Sequence, residues 1–216
     1  MKILPLGRIA FPAALEIQNR LVEELLAGTG GETLLLLEHD PVYTIGRTRD
    51  QSSLRETGHL PYPVIETNRG GQATYHGPGQ LVGYPILDLN RRGRDLHRYL
   101  RFIEEFLIEL GKANGIESAR REGLTGVWVG PRKIASLGVG VRKWITMHGF
   151  ALNVLEAAMP PFLHITPCGI AGVRMTNLER ETGRTVDFQD VSRQAGELFA
   201  NLSDTLFSPI GNAPVS

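Results

Sequence analysis

Apolar residues recur at helical spacing in three stretches of this 216-residue chain. Ala14, Ile17, Leu21 and Leu25 share one face of the first, Glu16, Glu23 and Glu24 lie off it, and Gly28 and Gly30 close it. Leu96, Leu100, Ile103, Leu107 and Leu110 mark a second helix from Asp95 to Ala113, stopped by Asn114 and Gly115. The third starts at an Asp187 cap and runs through Val191, Ala195, Leu198, Leu202 and Leu206. Between them the pattern changes to short apolar or alternating runs. Strands are predicted at 33–39, 42–46, 62–68, 80–89, 125–129, 133–141 and 148–154. The last three lie too close together for helical crossovers and suit an antiparallel meander. The predicted fold class is therefore α+β, a mostly antiparallel or mixed sheet with helices packed on it. One domain is expected through residue 207, with a loosely held tail over 208–216.

Two features of this pattern suggest chemistry. Glycine is concentrated in RGGQATYHGPGQLVG, residues 69–83, where Gly70-Gly71 and Gly77-Pro78-Gly79 flank Arg69, Thr74, Tyr75 and His76. Such a segment serves equally as a tight hairpin or as a binding loop in which a ligand approaches bare backbone. It lacks the lysine and spacing of a phosphate-cradling P-loop. The second feature is the strand at 133–141. Strict alternation puts Lys133 on the face of Ala135, Leu137, Val139 and Val141 and leaves Ser136, Gly138 and Gly140 opposite. The small face is a groove with room for something long and apolar. Lys133 either snorkels to water or, partly desolvated, becomes useful as a base.

Composition narrows the classes. Lysine plus arginine and aspartate plus glutamate number 23 each, so no overall field points to nucleic acid or to an anionic membrane. Hydrophobic residues make up 42% and charged residues 21%, as in an ordinary globular protein. No apolar run approaches a membrane span, and Pro5, Arg8 and Pro12 interrupt any signal-like segment, so the cytoplasm is the expected compartment and a monomer suffices. The single cysteine, Cys168 in ITPCGI, forms no internal disulfide; alone it reads as a buried filler ahead of a nucleophile. His39, His59, His97 and His164 show no ligand spacing with one another or with Cys168, so no metal is expected. Arg91, Arg92, Arg94, Arg98 and Arg101 form a basic run that is either a solvated helix face or a dock for an acidic partner.

Four ordered stretches together resemble the lipoyl(octanoyl) transferases: LEHDPVYTIGR (37–47), RGGQATYHGPGQ (69–80), GPRKIASLGV (130–139) with HGFALNV (148–154), and PFLHITPCGIAGV (161–173). The resemblance implies the catalytic-domain fold of the biotin/lipoate protein ligases. It also implies transfer of an octanoyl group from acyl carrier protein to one lysine of a lipoyl domain, without a cofactor. Acceptors would be the lipoyl domains of 2-oxoacid dehydrogenase complexes and the glycine cleavage H protein. Cys168 takes the place of the family's thioester-forming nucleophile, and Lys133 that of the lysine that lowers the cysteine pKa and acts as general acid and base. The family's substrate-binding segments fall on Arg69, Gly70, Gly71, Gln72, Ala73, Thr74, Tyr75 and His76, on Ser136, Leu137 and Gly138, and on Gly149, Phe150 and Ala151. His76 and His148 are expected at the pocket, outside the chemistry. Backbone N–H groups of Gly169–Ala171 or of the Gly70-Gly71 loop are candidates for stabilising an oxyanion. Competing readings are an amidotransferase acting between lipoyl domains, an ATP-dependent lipoate–protein ligase, and an acyl-binding module without turnover.

Overall fold

The computed structural model describes residues 1–47, 49, 52–54 and 60–208. His59 and the tail from 209 onward lie outside the described residues. A mixed sheet forms the centre, with strands β1 (Lys2–Ile9), β2 (Thr33–His39), β6 (Gln80–Ile86), β10 (Ile145–Asn153), β9 (Arg132–Arg142), β8 (Leu124–Val129) and β7 (Ala119–Arg121) side by side in that order. β1 and β2 run parallel, and the remaining neighbours are antiparallel. A short β11 (Arg174–Met175) lies parallel to the start of β9. A second, small sheet consists of β4 (Val64–Glu66), β3 (Val42–Ile45) and β5 (Thr74–His76).

The helices follow the apolar stripes. α1 (Phe11–Leu26) opens with Pro12 in its first turn, where no N–H is needed, and Gly28 behind it adopts φ +71°. α2 (Leu96–Ala113) is capped by the Asp95 carboxylate, which accepts from the Arg98 N–H at 2.9 Å. α3 (Leu178–Thr182) is a single short piece, and α4 (Phe188–Thr205) is capped by Asp187. α2 and α4 cover one face of the large sheet, burying Phe102, Phe106, Phe150, Phe199 and Phe207 together. α1 packs on the other face against Leu35, Leu37, Val82 and Tyr84. The small sheet has its own apolar cluster around Tyr43, Tyr75, Phe162 and Ile165.

Three details depart from the sequence pattern. β1, β5, β7 and β11 were not expected: Pro5 weakens the first as a strand signal, and the others are only two or three residues long. Arg92 is not part of a docking face. It is buried at 2% exposure, paired with Glu32, and donates to the carbonyl of Phe207. Arg91, Arg94, Arg98 and Arg101 remain exposed.

The third departure bears on function. Val127 pairs with Ala135, but Trp128 pairs with Lys133, so β9 carries one extra residue, a β-bulge at Ile134. Ile134 and Ala135, adjacent in sequence, therefore both enter the core beneath α2. Lys133 is thrown onto the face of Ser136 and Gly138, opposite to the face that unbroken alternation assigns it.

Close packing fixes the sheet centre. A Cβ at Gly83 would lie 2.1 Å from the Phe150 ring. Gly83→Ala is expected to cost about 1–3 kcal/mol by overpacking, measured by urea unfolding. Phe150→Leu in the same chain should recover part of that loss, and additive effects would show that the two do not compete for one space.

Candidate active site

Cys168 sits on a one-turn segment, Pro167–Gly169, with φ +56° and ψ +18°. A left-handed non-glycine residue costs roughly 1–2 kcal/mol, so its surroundings must hold it there. They do so through backbone bonds: Cys168 N–H donates to Ala73 O at 3.0 Å, and Thr166 N–H to Ser53 O at 2.7 Å. The Ser53 hydroxyl in turn accepts from Ala73 N–H at 3.1 Å. Gly169 adopts φ +67°, a left-handed backbone that favours glycine, and the end of the Gln72 side chain packs against it. The PCG stretch thus fits against the glycine-rich loop, far earlier in the sequence.

The bulge in β9 delivers Lys133 to the same point. Its Nζ donates to Cys168 Sγ at 3.3 Å, and Ser136 Oγ lies 3.7 Å from the same sulfur. Lys133 is 2% exposed, and its Nζ stands 5.4 Å from the centre of the Trp128 ring. Gly126 makes room for it, since a Cβ there would lie 2.6 Å from Lys133 Cε. Among the described residues Lys133 has no carboxylate partner. An ammonium within hydrogen-bond reach of a sulfur favours its thiolate form.

A cavity of about 420 Å³ opens beside this pair, within the range of small-molecule sites. Arg69, Gly70, Gly71, Gln72, Thr74 and His76 line it. Ala73 and Tyr75 are not among the lining residues; both side chains belong to the apolar cluster of the small sheet. Ser136, Leu137 and Gly138 line it from β9, and Gly149, Phe150 and Ala151 from β10. Sequence reasoning missed Phe11, Arg47, Tyr84, Leu96 and Leu100, which also face the cavity. Leu96 and Leu100 carried only apolar periodicity, which reads as core; Phe11 and Tyr84 carried no polar signal that sets them apart, and Arg47 stood only as the last residue of the LEHDPVYTIGR stretch.

The amides proposed for an oxyanion are mostly engaged. Gly169 N–H donates to Thr166 O, Ile170 N–H to Pro167 O, and Gly70 N–H to Val139 O. Gly71, at φ +84° on the cavity wall, keeps its N–H without a hydrogen bond among the described residues.

Three buried histidines gather around Phe11, whose ring meets all three; His76 and His148 also line the cavity. His39 Nδ1 lies 3.0 Å from Ile9 O, an acceptor, so that nitrogen carries the proton and Nε2 accepts from the Tyr84 hydroxyl at 2.7 Å. His76 Nδ1 donates to Gln80 Oε1, whose amide nitrogen is taken up by Tyr75 O and Asn153 Oδ1. His148 lies in β10 with φ +54°, which turns its ring out of the strand's alternation and toward Phe11. Its Nε2 meets Asn68 Oδ1 at 2.6 Å. Burial lowers His39 and His148 to about 4, with Arg69 adding to the effect at His148. Burial, His39 and Arg69 hold His76 well below the usual histidine value. All three rings are neutral near pH 7.

The architecture is that of the lipoate and biotin protein ligases. A lipoate-protein ligase A solved with bound ATP superposes with a TM-score of 0.70 at 15% identity, over 95% of this chain and 84% of that one. The biotin protein ligase of Aquifex aeolicus, in complex with biotin and ATP, gives 0.60 at 16% identity, over 94% and 71%. Within that architecture the chain belongs to the lipoyl protein ligase A/B catalytic domain family, whose profile matches residues 11–200. The octanoyltransferase of Geotalea uraniireducens is 52% identical over 210 residues, 97% of this chain and 96% of the relative. Among the described residues no helix is long and apolar enough to cross a membrane.

The buried histidines make stability depend on acidity. Unfolded histidine titrates near 6.5, so between that value and about 4 the unfolded chain binds protons that the folded chain refuses. Stability is then full above about pH 6.5 and falls as pH drops toward 4, by on the order of 2–3 kcal/mol per histidine. Urea midpoints across that window should fall steadily, and His39→Gln should flatten the dependence. An unchanged slope in that variant would remove His39 as a source.

Proposed function

We propose that this chain transfers an octanoyl group from a carrier thioester, through a thioester on Cys168, to the side-chain amine of a lysine in a lipoyl domain. The observation that carries the reading is the 3.3 Å contact of Lys133 Nζ with Cys168 Sγ at the wall of a largely apolar cavity. The relatives named octanoyltransferase supply the cargo.

The cycle balances on two side chains. The Cys168 thiolate attacks the donor carbonyl carbon, and the carrier sulfur leaves with the proton of the Lys133 ammonium. The acyl-enzyme now faces a neutral Lys133. The acceptor amine attacks the same carbon, gives its proton to Lys133, and expels the Cys168 thiolate, which restores the starting ion pair. Gly71 N–H, on the cavity wall, is the amide assigned here to the tetrahedral oxyanion. Thioester exchange is nearly neutral in energy and amide formation is downhill, so no ATP is needed. Each buried methylene of the acyl chain contributes about 0.8 kcal/mol to holding it. Donor and acceptors in this reading are acyl carrier protein, the lipoyl domains of 2-oxoacid dehydrogenase complexes and the glycine cleavage H protein. The enzyme acts as a cytoplasmic monomer.

Mixing the protein with octanoyl carrier protein and no ATP should add about 126 Da to its intact mass, removable by hydroxylamine as a thioester is. Cys168→Ala should abolish the adduct, and Lys133→Ala should slow its formation by orders of magnitude. Wild-type turnover in the Cys168 variant would end the reading. Faster acylation from an octanoylated lipoyl domain than from the carrier would identify an amidotransferase instead.

A further inference from the structure

Arg69, Lys133 and Arg47 line the cavity, and among the described residues no aspartate or glutamate does. A pocket whose fixed charges are all positive is suited to holding negative charge that appears during reaction. Lys133 cannot supply that field throughout, because the cycle above leaves it neutral once the carrier has departed. Arg47 is exposed at the rim, where water screens it.

Arg69 is different. It is 6% exposed, and among the described residues it has no carboxylate partner. Its guanidinium instead donates to neutral oxygens: Thr44 Oγ1 at 2.8 Å, Thr44 O at 2.7 Å, Gln72 O at 2.9 Å and Gly70 O at 2.9 Å. A buried arginine held only by neutral groups carries an uncompensated charge, which is costly to keep. Its position gives that charge a use. The side chain crosses β9 at Gly138, where a Cβ would lie 2.9 Å from Arg69 Cδ. Gly138 is two residues from Ser136 on the same face of the strand, and Ser136 touches the sulfur.

We propose that Arg69 is the permanent cation of the cavity, a positioning residue that keeps negative charge favourable on Cys168 and on the acyl oxyanion while Lys133 loses and regains its proton. The other titratable groups facing Arg69 cannot replace it. His76 on β5 and His148 on β10 are neutral, and burial pushes the Tyr84 phenol on β6 up and out of range. Burial also draws the guanidinium below the usual arginine value, and Cys168 is the largest influence in the opposite direction. Arginine stays charged under such a shift.

The inference rests on Cys168 as the acyl carrier, which the mass adduct tests separately; its own test reads only the charge on the sulfur. The rate of iodoacetamide alkylation at Cys168 is followed against pH. In Lys133→Ala the midpoint should remain below the ~8.5 of free cysteine, because Arg69 is still present. Adding Arg69→Gln should raise it to that value or above, and Arg69→Gln alone should raise the wild-type midpoint by about half a unit or more. Arg69→Lys keeps the charge but loses the fork of hydrogen bonds, and should stay near wild type. A Lys133→Ala midpoint at or above that of free cysteine overturns the proposal even if the Arg69 variants do not fold. Equal midpoints for Arg69→Lys and Arg69→Gln would reduce Arg69 to a loop staple.

Discussion

The site depends on one extra residue in one strand. Without the bulge at Ile134, β9 would alternate evenly and the Lys133 side chain would enter the core under α2, through the sheet from Cys168. With it, two successive apolar side chains face the helices, and lysine and serine converge on one sulfur. Much else serves this contact. Gly126 clears the lysine stem, β11 pins the beginning of β9 through Thr176 N–H to Lys133 O, and the 52–54 segment holds the cysteine turn.

Much of the fold was legible in the sequence for simple reasons. Stripes at helical spacing became α1, α2 and α4 because each needed a face to bury, and Asp95 and Asp187 marked two starts by capping. The antiparallel meander of β8, β9 and β10 followed from short spacing. What escaped were features that depend on tertiary context. β1 is stabilised by parallel pairing with β2, which local pattern cannot announce past Pro5. Arg92 looked like its solvated neighbours, but its partners Glu32 and Phe207 come from opposite ends of the chain.

The candidate site divides the same way. Residue identities could be assigned by resemblance, and most of the segments so assigned meet at the cavity. Their directions could not be assigned. A bulge and a positive φ at His148 each redirect a side chain without changing composition, and Ala73 and Tyr75 turn inward while Thr74 and His76 face the cavity. Phe11 was invisible as a site residue because it also belongs to the first turn of a helix.

The polarity of the cavity follows from these placements. Neutral imidazoles and an apolar wall make the interior poor at solvating ions, while Arg69 and Lys133 bias it toward one sign. A compartment of that kind tolerates a sulfur anion and an oxyanion yet excludes a free fatty carboxylate less effectively than a neutral wall would.

The left-handed backbone at Cys168 has an evolutionary corollary. That conformation admits an unbranched β-carbon under strain and turns away a branched one. Sulfur could be traded for oxygen through serine by a single change, but threonine is closed to this turn. Any descendant adopting oxygen-ester chemistry here would have that one doorway.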